Sequence, residues 1–188
     1  LGRAPLAESA LRAVVEVAGG YSTLEYDLAE GKRGERHVHV EELLCRLTGS
    51  EAPLAVNNNA GAVLLALSSL AGGKSALVSR GELIEIGGSF RVPELMARSG
   101  CRLREVGTTN RTHRRDYEQA IQPATALILR VHTSNYRVIG FTAAVPLIEL
   151  KALADQHAIP LVEDMGSGLL LPLDAFGLAD EPTVQASL

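Results

Sequence analysis

The sequence predicts an α/β fold in which a mostly parallel sheet is flanked by helices. Short, near-continuous apolar segments alternate with helical segments of about ten residues, a pattern typical of parallel sheets covered on both faces. Hydrophobic residues make up 46% of the 188 residues, which suits one ordinary domain or part of a larger one. Polar motifs follow several of the apolar segments, where open α/β sheets bind their ligands.

The chain begins with an amphipathic helix and a polar segment. Apolar residues recur at helical spacing from Leu6 to Ala18, and Gly19 and Gly20 end this helix. Residues 21–36 are polar, glycine-bearing and charged, which predicts a long loop of the kind that is usually functional. We therefore divide the chain into residues 1–36, a helix with a candidate active-site loop, and residues 37–188, the main α/β region.

Helices and strands alternate from residue 37 onward. The predicted helices are 37–47, 59–70, 92–98, 112–121 and 146–157, and the predicted strands are 54–56, 76–79, 102–106, 126–131 and 159–163, the last ending on Asp164. Pro182 followed by helix formers predicts the first turn of another helix. We expect both ends to be cut, since the chain lacks an initiator Met and this last helix is not completed.

Composition and charge exclude several classes of protein. The chain has 18 basic and 22 acidic residues, so these residues alone are not expected to form a nucleic-acid surface. Cys45 and Cys101 have no CxxC partner, which predicts neither a disulfide framework nor a zinc site and fits a reducing cytoplasm. The longest charge-free stretch, residues 52–73, is broken by asparagines and small residues, so no transmembrane helix is predicted.

Three motifs approach known sites without meeting their requirements. Gly73-Lys74-Ser75 lacks the earlier glycine of a phosphate loop and precedes a strand instead of following one. After Gly166-Ser167-Gly168, Leu171 occupies the third glycine position of the dinucleotide fingerprint, which favours a tight turn. His37 and His39 lie two residues apart and do not share a helix face. No metal site is predicted.

Two polar motifs point to a phosphorylated ring as ligand. Asn57, Asn58 and Asn59 stand between a predicted strand and a helix, where free amides and the helix dipole suit a phosphate; a plain capped helix is the alternative. Asp164 ends an apolar strand, where a carboxylate can hold a protonated ring nitrogen or simply cap a turn.

Three further loops are expected at the same edge of the sheet. Residues 132–137 (HTSNYR) follow an apolar strand, where polar side chains are costly unless they are exposed or used. Residues 107–110 and 79–91 also follow strands. A phosphate site, a carboxylate for a ring nitrogen and a polar residue between them suggest pyridoxal phosphate as the cofactor.

Seven motifs, in this order and spacing, resemble one protein family over essentially the whole chain. They are LGRAPL, YSTLEYDLAEGKRG, NNNAGAVLLAL, SRGELIEIGGSFRVPE, EVGTTNRT, VHTSNYRVIGFT and EDMGSG. Together they resemble the bacterial selenocysteine synthases, the L-seryl-tRNA(Sec) selenium transferases. The resemblance implies the large domain of a fold type I pyridoxal-phosphate-dependent transferase. It also implies seryl-tRNA(Sec) and selenophosphate as substrates, and a cytoplasmic homo-oligomer built as a ring of dimers.

The resemblance also assigns roles to individual residues. Asp164 would pair with the pyridine nitrogen, and Asn135 would approach the phenolic oxygen of the cofactor or the substrate. The 5′-phosphate would be bound by Asn57, Asn58, Asn59 and Ala60. Arg3 would bind the selenophosphate anion, since a guanidinium binds phosphate oxygens in bidentate fashion.

Two further sets of residues are assigned by the resemblance to contacts between subunits. Tyr26, Arg33 and Arg36 stand where an early loop would reach the cofactor phosphate of a neighbouring subunit. Thr108, Thr109 and Asp116 are candidates for other subunit contacts.

The chain departs from the family pattern at the catalytic lysine. The family places this lysine some tens of residues after the aspartate, whereas Lys32, Lys74 and Lys151 all precede Asp164. We therefore expect no catalytic residue within the chain, with the lysine beyond residue 188 and the tRNA-binding N-terminal domain and the C-terminal domain also absent. The chain alone is expected to be inactive and poorly soluble.

Two other functions are compatible with the same motifs. One is a related fold type I β-eliminating or ammonia-lyase enzyme that acts on a small amino acid or amino sugar. The other is a non-catalytic scaffold or pseudoenzyme, which a parent sequence with no lysine after Asp164 would favour.

Overall fold

The computed structural model describes residues 4–86, 90–134, 136–177 and 181–188. It divides the chain into two compact units. The first unit comprises residues 1–47 and 51–55, and the second comprises residues 48–50 and 56–188.

The first unit contains two helices and a small hairpin. Its elements are α1 (Glu8–Ala18), β1 (Tyr26–Asp27), β2 (Lys32–Arg33) and α2 (Val38–Thr48, whose last residue belongs to the second unit). The antiparallel pair β1 and β2 lies inside the predicted loop, so that prediction missed a hairpin. The carboxylate of Asp27 accepts hydrogen bonds from the amides of Ala29 and Glu30 and closes the turn.

The second unit contains the parallel sheet. Its elements are α3 (Asn59–Ala71), β3 (Ser75–Ser79), β4 (Glu85–Ile86), β5 (Phe90–Arg91), α4 (Val92–Arg98), β6 (Arg102–Val106), α5 (Arg114–Ala120), β7 (Thr125–Val131), α6 (Leu147–Gln156), β8 (Leu161–Asp164) and α7 (Val184–Ser187). The main sheet has the strand order β6-β3-β7-β8 with all pairs parallel, while β4 and β5 form a separate two-stranded ribbon. The predicted fold class is confirmed.

Helices cover both faces of this sheet. One buried cluster joins α3 and α4 to one face, and includes Leu67, Met96 and Leu129. A second cluster joins α5 and α6 to the other face, and includes Tyr117, Ile128 and Leu150. The central strand β7 is buried along nearly its whole length, which explains why its sequence is continuously apolar and does not alternate.

The predicted strand over residues 54–56 is wrong. In the structure this segment is irregular, and the side chains of Leu54 and Val56 are 63% and 41% exposed. An apolar sequence alone does not make a strand, since a strand also needs a neighbour to accept its backbone hydrogen bonds. Other boundaries shift by a few residues: α5 begins at Arg114 and β8 at Leu161.

Within the described residues, no helix combines the length and the apolar character needed to cross a bilayer. The helices of the second unit are short, and α3, which has 13 residues, begins among the asparagines of the candidate site. The start of α3 therefore lies at the carboxyl end of the sheet, where Asn59 contacts Asp164.

Candidate cofactor site

The carboxyl ends of the parallel strands meet at one edge of the second unit, as predicted. The loops that follow β7 and β8 contact each other there: the backbone N–H of His132 donates to the carbonyl oxygen of Asp164 at 2.8 Å. Gly166 has a φ of +69°, and a Cβ on it would lie 2.7 Å from the Ser134 Oγ. Only glycine therefore allows these two loops to approach so closely.

Asp164 is the last residue of β8 and is only 6% exposed. Its Oδ1 accepts two hydrogen bonds, one from the Asn59 Nδ2 at 3.0 Å and one from the Gly166 N–H at 3.2 Å. A carboxylate oxygen has two lone pairs, so these bonds satisfy Oδ1. Both of these bonds go to Oδ1, so a ligand in this part of the site can use Oδ2.

The predicted asparagine residues occupy three different positions. Asn57 is exposed in the turn before α3, and Asn58 is the N-cap, whose side-chain oxygen accepts from the Gly61 N–H at 2.8 Å. Asn59 begins α3 and reaches Asp164, while Ala60 is half-buried in the first turn. Of the three asparagines, Asn59 is the one that contacts Asp164. The strand predicted to precede them is absent, because residues 53–56 are irregular.

A groove of about 330 Å³ runs beside Asp164. Small residues of α3, among them Ala62 and Ala66, form one wall, and the glycine-containing turn 166–168 with Val184 forms another. Ligand sites are typically concave and largely apolar with a few polar groups, and Asn59 and Asp164 supply those groups here.

His132 and Glu181 form a pair that the sequence analysis did not foresee. The His132 Nε2 lies 3.2 Å from a Glu181 carboxylate oxygen, and both side chains are mostly buried. Hydrogen bonds from Ser167 and His132 hold the pKa of Glu181 below its usual range. The other Glu181 oxygen, Oε1, is buried and has no partner among the described residues. No local motif could have revealed this pair, since its members are 49 residues apart.

A buried ion pair fixes the end of β7 from the other side. Glu82, which is 6% exposed, is ion-paired with Arg130 and accepts a hydrogen bond from the Val131 N–H at 3.0 Å. Burial raises the pKa of Glu82 and outweighs the neighbouring guanidinium; burial also raises the pKa of Tyr117 nearby. The backbone that leads into His132 is thus tied to the turn after β3.

The residues predicted for subunit contacts have local roles in the structure. The Thr108 hydroxyl donates to the Arg111 carbonyl at 2.9 Å, and the Asp116 carboxylate accepts from the His113 N–H at 2.8 Å. Thr109 follows in the same loop and lines a cavity of about 190 Å³ with Glu82. These contacts leave the prediction of a subunit interface open.

The first unit carries its own cluster of charges. Arg33 and Arg36 both pair with Glu25, at 3.1 Å for Arg33 and 2.6 Å for the Arg36 Nε, and line a cavity of about 510 Å³. The two guanidinium groups hold the pKa of Glu25 below its usual range, and Arg36 has the larger effect. Tyr26, the third residue predicted here, lies in β1.

Two predicted site residues, Arg3 and Asn135, lie outside the described residues. The chain has three lysines, each with a different setting in the structure. Lys74 precedes β3 and so lies at the amino edge of the sheet, opposite Asp164. Lys151 pairs with Asp155 at 2.6 Å on the exposed face of α6. Lys32 belongs to the hairpin of the first unit.

Comparison with solved structures shows which fold this chain has. D-glucosaminate-6-phosphate ammonia-lyase matches with a TM-score of 0.66 and 20% identity, over 85% of this chain and 44% of that chain. A putative sugar aminotransferase from Streptococcus pneumoniae, in its PMP form, matches with a TM-score of 0.59 and 16% identity, over 89% of this chain and 42% of that one. The fold is that of the large domain of fold type I pyridoxal-phosphate enzymes.

Sequence comparison then identifies the family. The family described as SelA, L-seryl-tRNA selenium transferase, matches residues 1–188. The L-seryl-tRNA(Sec) selenium transferase of Geobacter metallireducens is 60% identical over 185 residues, which is 98% of this chain and 40% of that protein. The chain belongs to the L-seryl-tRNA selenium transferase family, as the motif resemblance predicted, and spans about two fifths of the length of such relatives.

Proposed function

We propose that this protein, at the full length of its relatives, transfers selenium from selenophosphate to seryl-tRNA(Sec) and so forms selenocysteinyl-tRNA(Sec). The observation that carries the proposal is the family match over residues 1–188. The ammonia-lyase alternative is not favoured, because its resemblance rests on a structure 20% identical in sequence, which supports the fold alone.

The donor set of the second unit fits pyridoxal phosphate as the cofactor. Asp164 offers a nearly buried carboxylate whose Oδ2 can accept a ring N–H, and α3 begins beside it with its positive dipole end. When bound, the cofactor withdraws electrons from the α-carbon of serine, so that the α-proton and the β-hydroxyl can leave and selenium can add.

Each part of the chain then has a proposed task. Asp164 binds the ring nitrogen and keeps it protonated, while the resemblance assigns the 5′-phosphate to Asn57, Asn58, Asn59 and Ala60. Asn135 binds the phenolic oxygen or the substrate, and Arg3 binds selenophosphate. The lysine that holds the cofactor is assigned by the resemblance to a segment beyond residue 188.

The wider setting is proposed on the same basis. We place the protein in the cytoplasm as a homo-oligomer, a ring of dimers, with residues 1–36 serving as a helix and active-site loop. The exposed apolar residues of the first unit support a partner surface there, since none of its described residues is buried. The tRNA-binding and C-terminal domains belong to the full-length protein in this proposal.

The test is selenium transfer by the full-length protein from radiolabelled selenophosphate, with seryl-tRNA(Sec) and free serine offered separately. We expect label on the tRNA alone. Asp164→Asn should lower the rate by about 10²–10³-fold, a loss of the size seen when one preorganised polar group is removed from an active site. Asp155→Asn is the matched control, because Asp155 pairs with Lys151 on the exposed face of α6. Label on free serine would contradict seryl-tRNA(Sec) as the substrate. No label on either substrate, with the absorbance of bound cofactor present, would favour the small-molecule lyase, and a full-length sequence with no lysine after Asp164 would favour the non-catalytic scaffold.

A further inference from the structure

Asn59 and Asp164 meet although 105 residues separate them. Asn59 is the first residue of α3, and Asp164 is the last residue of β8. Their hydrogen bond, at 3.0 Å, is a direct side-chain link between the start of the helix and the end of the strand. The motif of three asparagines gives no hint of this contact, since its resemblance assigns all three to a phosphate.

The helix does not need Asn59 for its own stability. Asn58 already caps α3 by accepting the Gly61 N–H at 2.8 Å. An asparagine at this position is therefore better explained by what its amide binds, and the structure shows that its Nδ2 binds the carboxylate.

The geometry of the carboxylate makes this bond consequential. The Gly166 N–H holds Oδ1 from the chain that follows β8, and the Asn59 amide holds the same oxygen from the opposite side of the groove. Two donors on one oxygen fix the rotation of the carboxyl group, whereas one donor would leave it free to turn. The second oxygen is then presented in one orientation.

We propose that Asn59 is a positioning residue that holds Asp164 with its Oδ2 directed at the ring nitrogen of the cofactor, and that it is not a ligand of the cofactor phosphate. The inference rests on the proposed function for the identity of the cofactor. It differs from the role implied by the family resemblance, in which Asn59 joins its two neighbours at the phosphate.

The two possible roles of Asn59 can be distinguished with pyridoxal, which has the ring of the cofactor and lacks its phosphate. In the full-length protein stripped of cofactor, the dissociation constants of pyridoxal phosphate and of pyridoxal are measured for the unmodified protein and for Asn59→Ala. A positioning residue acts on the ring, so Asn59→Ala should weaken both compounds equally, by about 10-fold, as expected for a hydrogen bond to a charged group. A phosphate ligand would weaken pyridoxal phosphate alone.

A second variant tests whether Asn59 acts through Asp164. In an Asp164→Asn background, the further change Asn59→Ala should alter the dissociation constants by less than about 2-fold, because the carboxylate that Asn59 holds is gone. Gln122→Ala is the matched control, since Gln122 also uses a side-chain amide, accepting from Arg104 at 2.7 Å, but lies at the amino edge of the sheet. The absorption spectrum of the bound cofactor provides a second readout, which should shift in Asn59→Ala and not in Gln122→Ala.

Each outcome bears on the proposal. Equal weakening of both compounds, abolished in the Asp164→Asn background, supports it. Unchanged affinity and spectrum in Asn59→Ala, or weakening of pyridoxal phosphate alone, overturns it. If Asn59→Ala weakens the binding of both compounds but the unmodified protein transfers no selenium, the proposed function is wrong and this inference is still supported. Failure of the unmodified protein to bind either compound would overturn both. Circular dichroism of each variant shows whether α3 still forms, and Asn59→Ser replaces Asn59→Ala if it does not.

Discussion

Leucine and valine side chains are buried in the central strands of the second unit and exposed in helix α1 of the first. In the second unit, the leucines and valines of β3 and β7 are completely or almost completely buried between two layers of helices. In the first unit, α1 is an amphipathic helix, yet Leu11 and Val15 are 50% and 73% exposed, and no described residue of the unit is buried. Amphipathic periodicity therefore predicts that a helix forms. It does not predict whether the apolar face of that helix packs against another part of the same chain.

The contrast extends to charge. In each unit one glutamate pairs with arginine: Glu82 with Arg130 in the second, and Glu25 with Arg33 and Arg36 in the first. Burial raises the pKa of Glu82, whereas the guanidinium groups of Arg36 and Arg33 lower the pKa of Glu25, which is partly exposed. Desolvation therefore dominates the pKa of the glutamate in the second unit, whereas attraction to the arginines dominates it in the first.

The largest difference is expected from truncating one leucine in each unit. Leu127→Ala in β7 should lower the free energy of unfolding by about 2–5 kcal/mol, since the residue is fully buried and leaves a cavity. Leu11→Ala in α1 should change it by less than about 0.5 kcal/mol. Hydrogen–deuterium exchange read peptide by peptide measures the two units separately. Equal losses in the two variants would show that α1 is buried in solution, and would remove the contrast between the units.

The next largest effect is expected from the buried ion pair. Glu82→Ala should destabilise the second unit by about 3 kcal/mol, because it leaves the Arg130 charge and the Val131 N–H without their partner in a buried site. Glu25→Ala makes the same change in the first unit, where both arginines remain solvated, and should cost much less. Urea unfolding of each variant, with exchange to locate the loss, decides the outcome. A smaller loss for Glu82→Ala than for Glu25→Ala would contradict the assignment of Glu82 to the core.

Sequence reasoning succeeded where one segment carries its own information. The central strand β7 and Asp164 at the end of β8 were predicted correctly because continuous apolar runs mark buried parallel strands. It failed where the partner is remote. Nothing near Leu54 shows that its segment has no strand to pair with, nothing near Asn59 shows that its amide reaches Asp164, and Glu181 carries no local sign of His132.

The pH dependence of stability should have opposite signs in the two units. The folded pKa of Glu82 is raised, so its contribution is fully present below the unfolded value of about 4.3 and is lost as pH rises through the folded pKa. The folded pKa of Glu25 is lowered, so its contribution is present above about 4.3 and is lost as pH falls through the folded pKa. Exchange between pH 3 and pH 7, corrected for intrinsic rates, measures both slopes.

Two variants assign these slopes to their residues. Glu82→Gln should remove the decline in stability of the second unit with rising pH, and Glu25→Gln should remove the decline of the first unit with falling pH. If the pH dependence of a unit's stability is unchanged in the variant of its glutamate, that dependence comes from other carboxylates. The glutamate would then not control the pH dependence of that unit.

The smallest effects concern the starts of two helices. Asn58 caps α3 in the second unit, whereas Ala7, in the extended conformation suited to an N-cap, provides no side-chain cap for α1. Asn58→Ala should therefore destabilise α3 by about 1 kcal/mol, and Ala7→Ser should stabilise α1 by about 0.5–1 kcal/mol. Ala10→Ser is the matched control, because the same hydroxyl inside the helix should cost up to about 0.5 kcal/mol. Exchange of the first-turn amides measures each change. A gain at Ala7 larger than the loss at Asn58 would show that α1 is limited mainly by its missing cap, and not by its unburied apolar face.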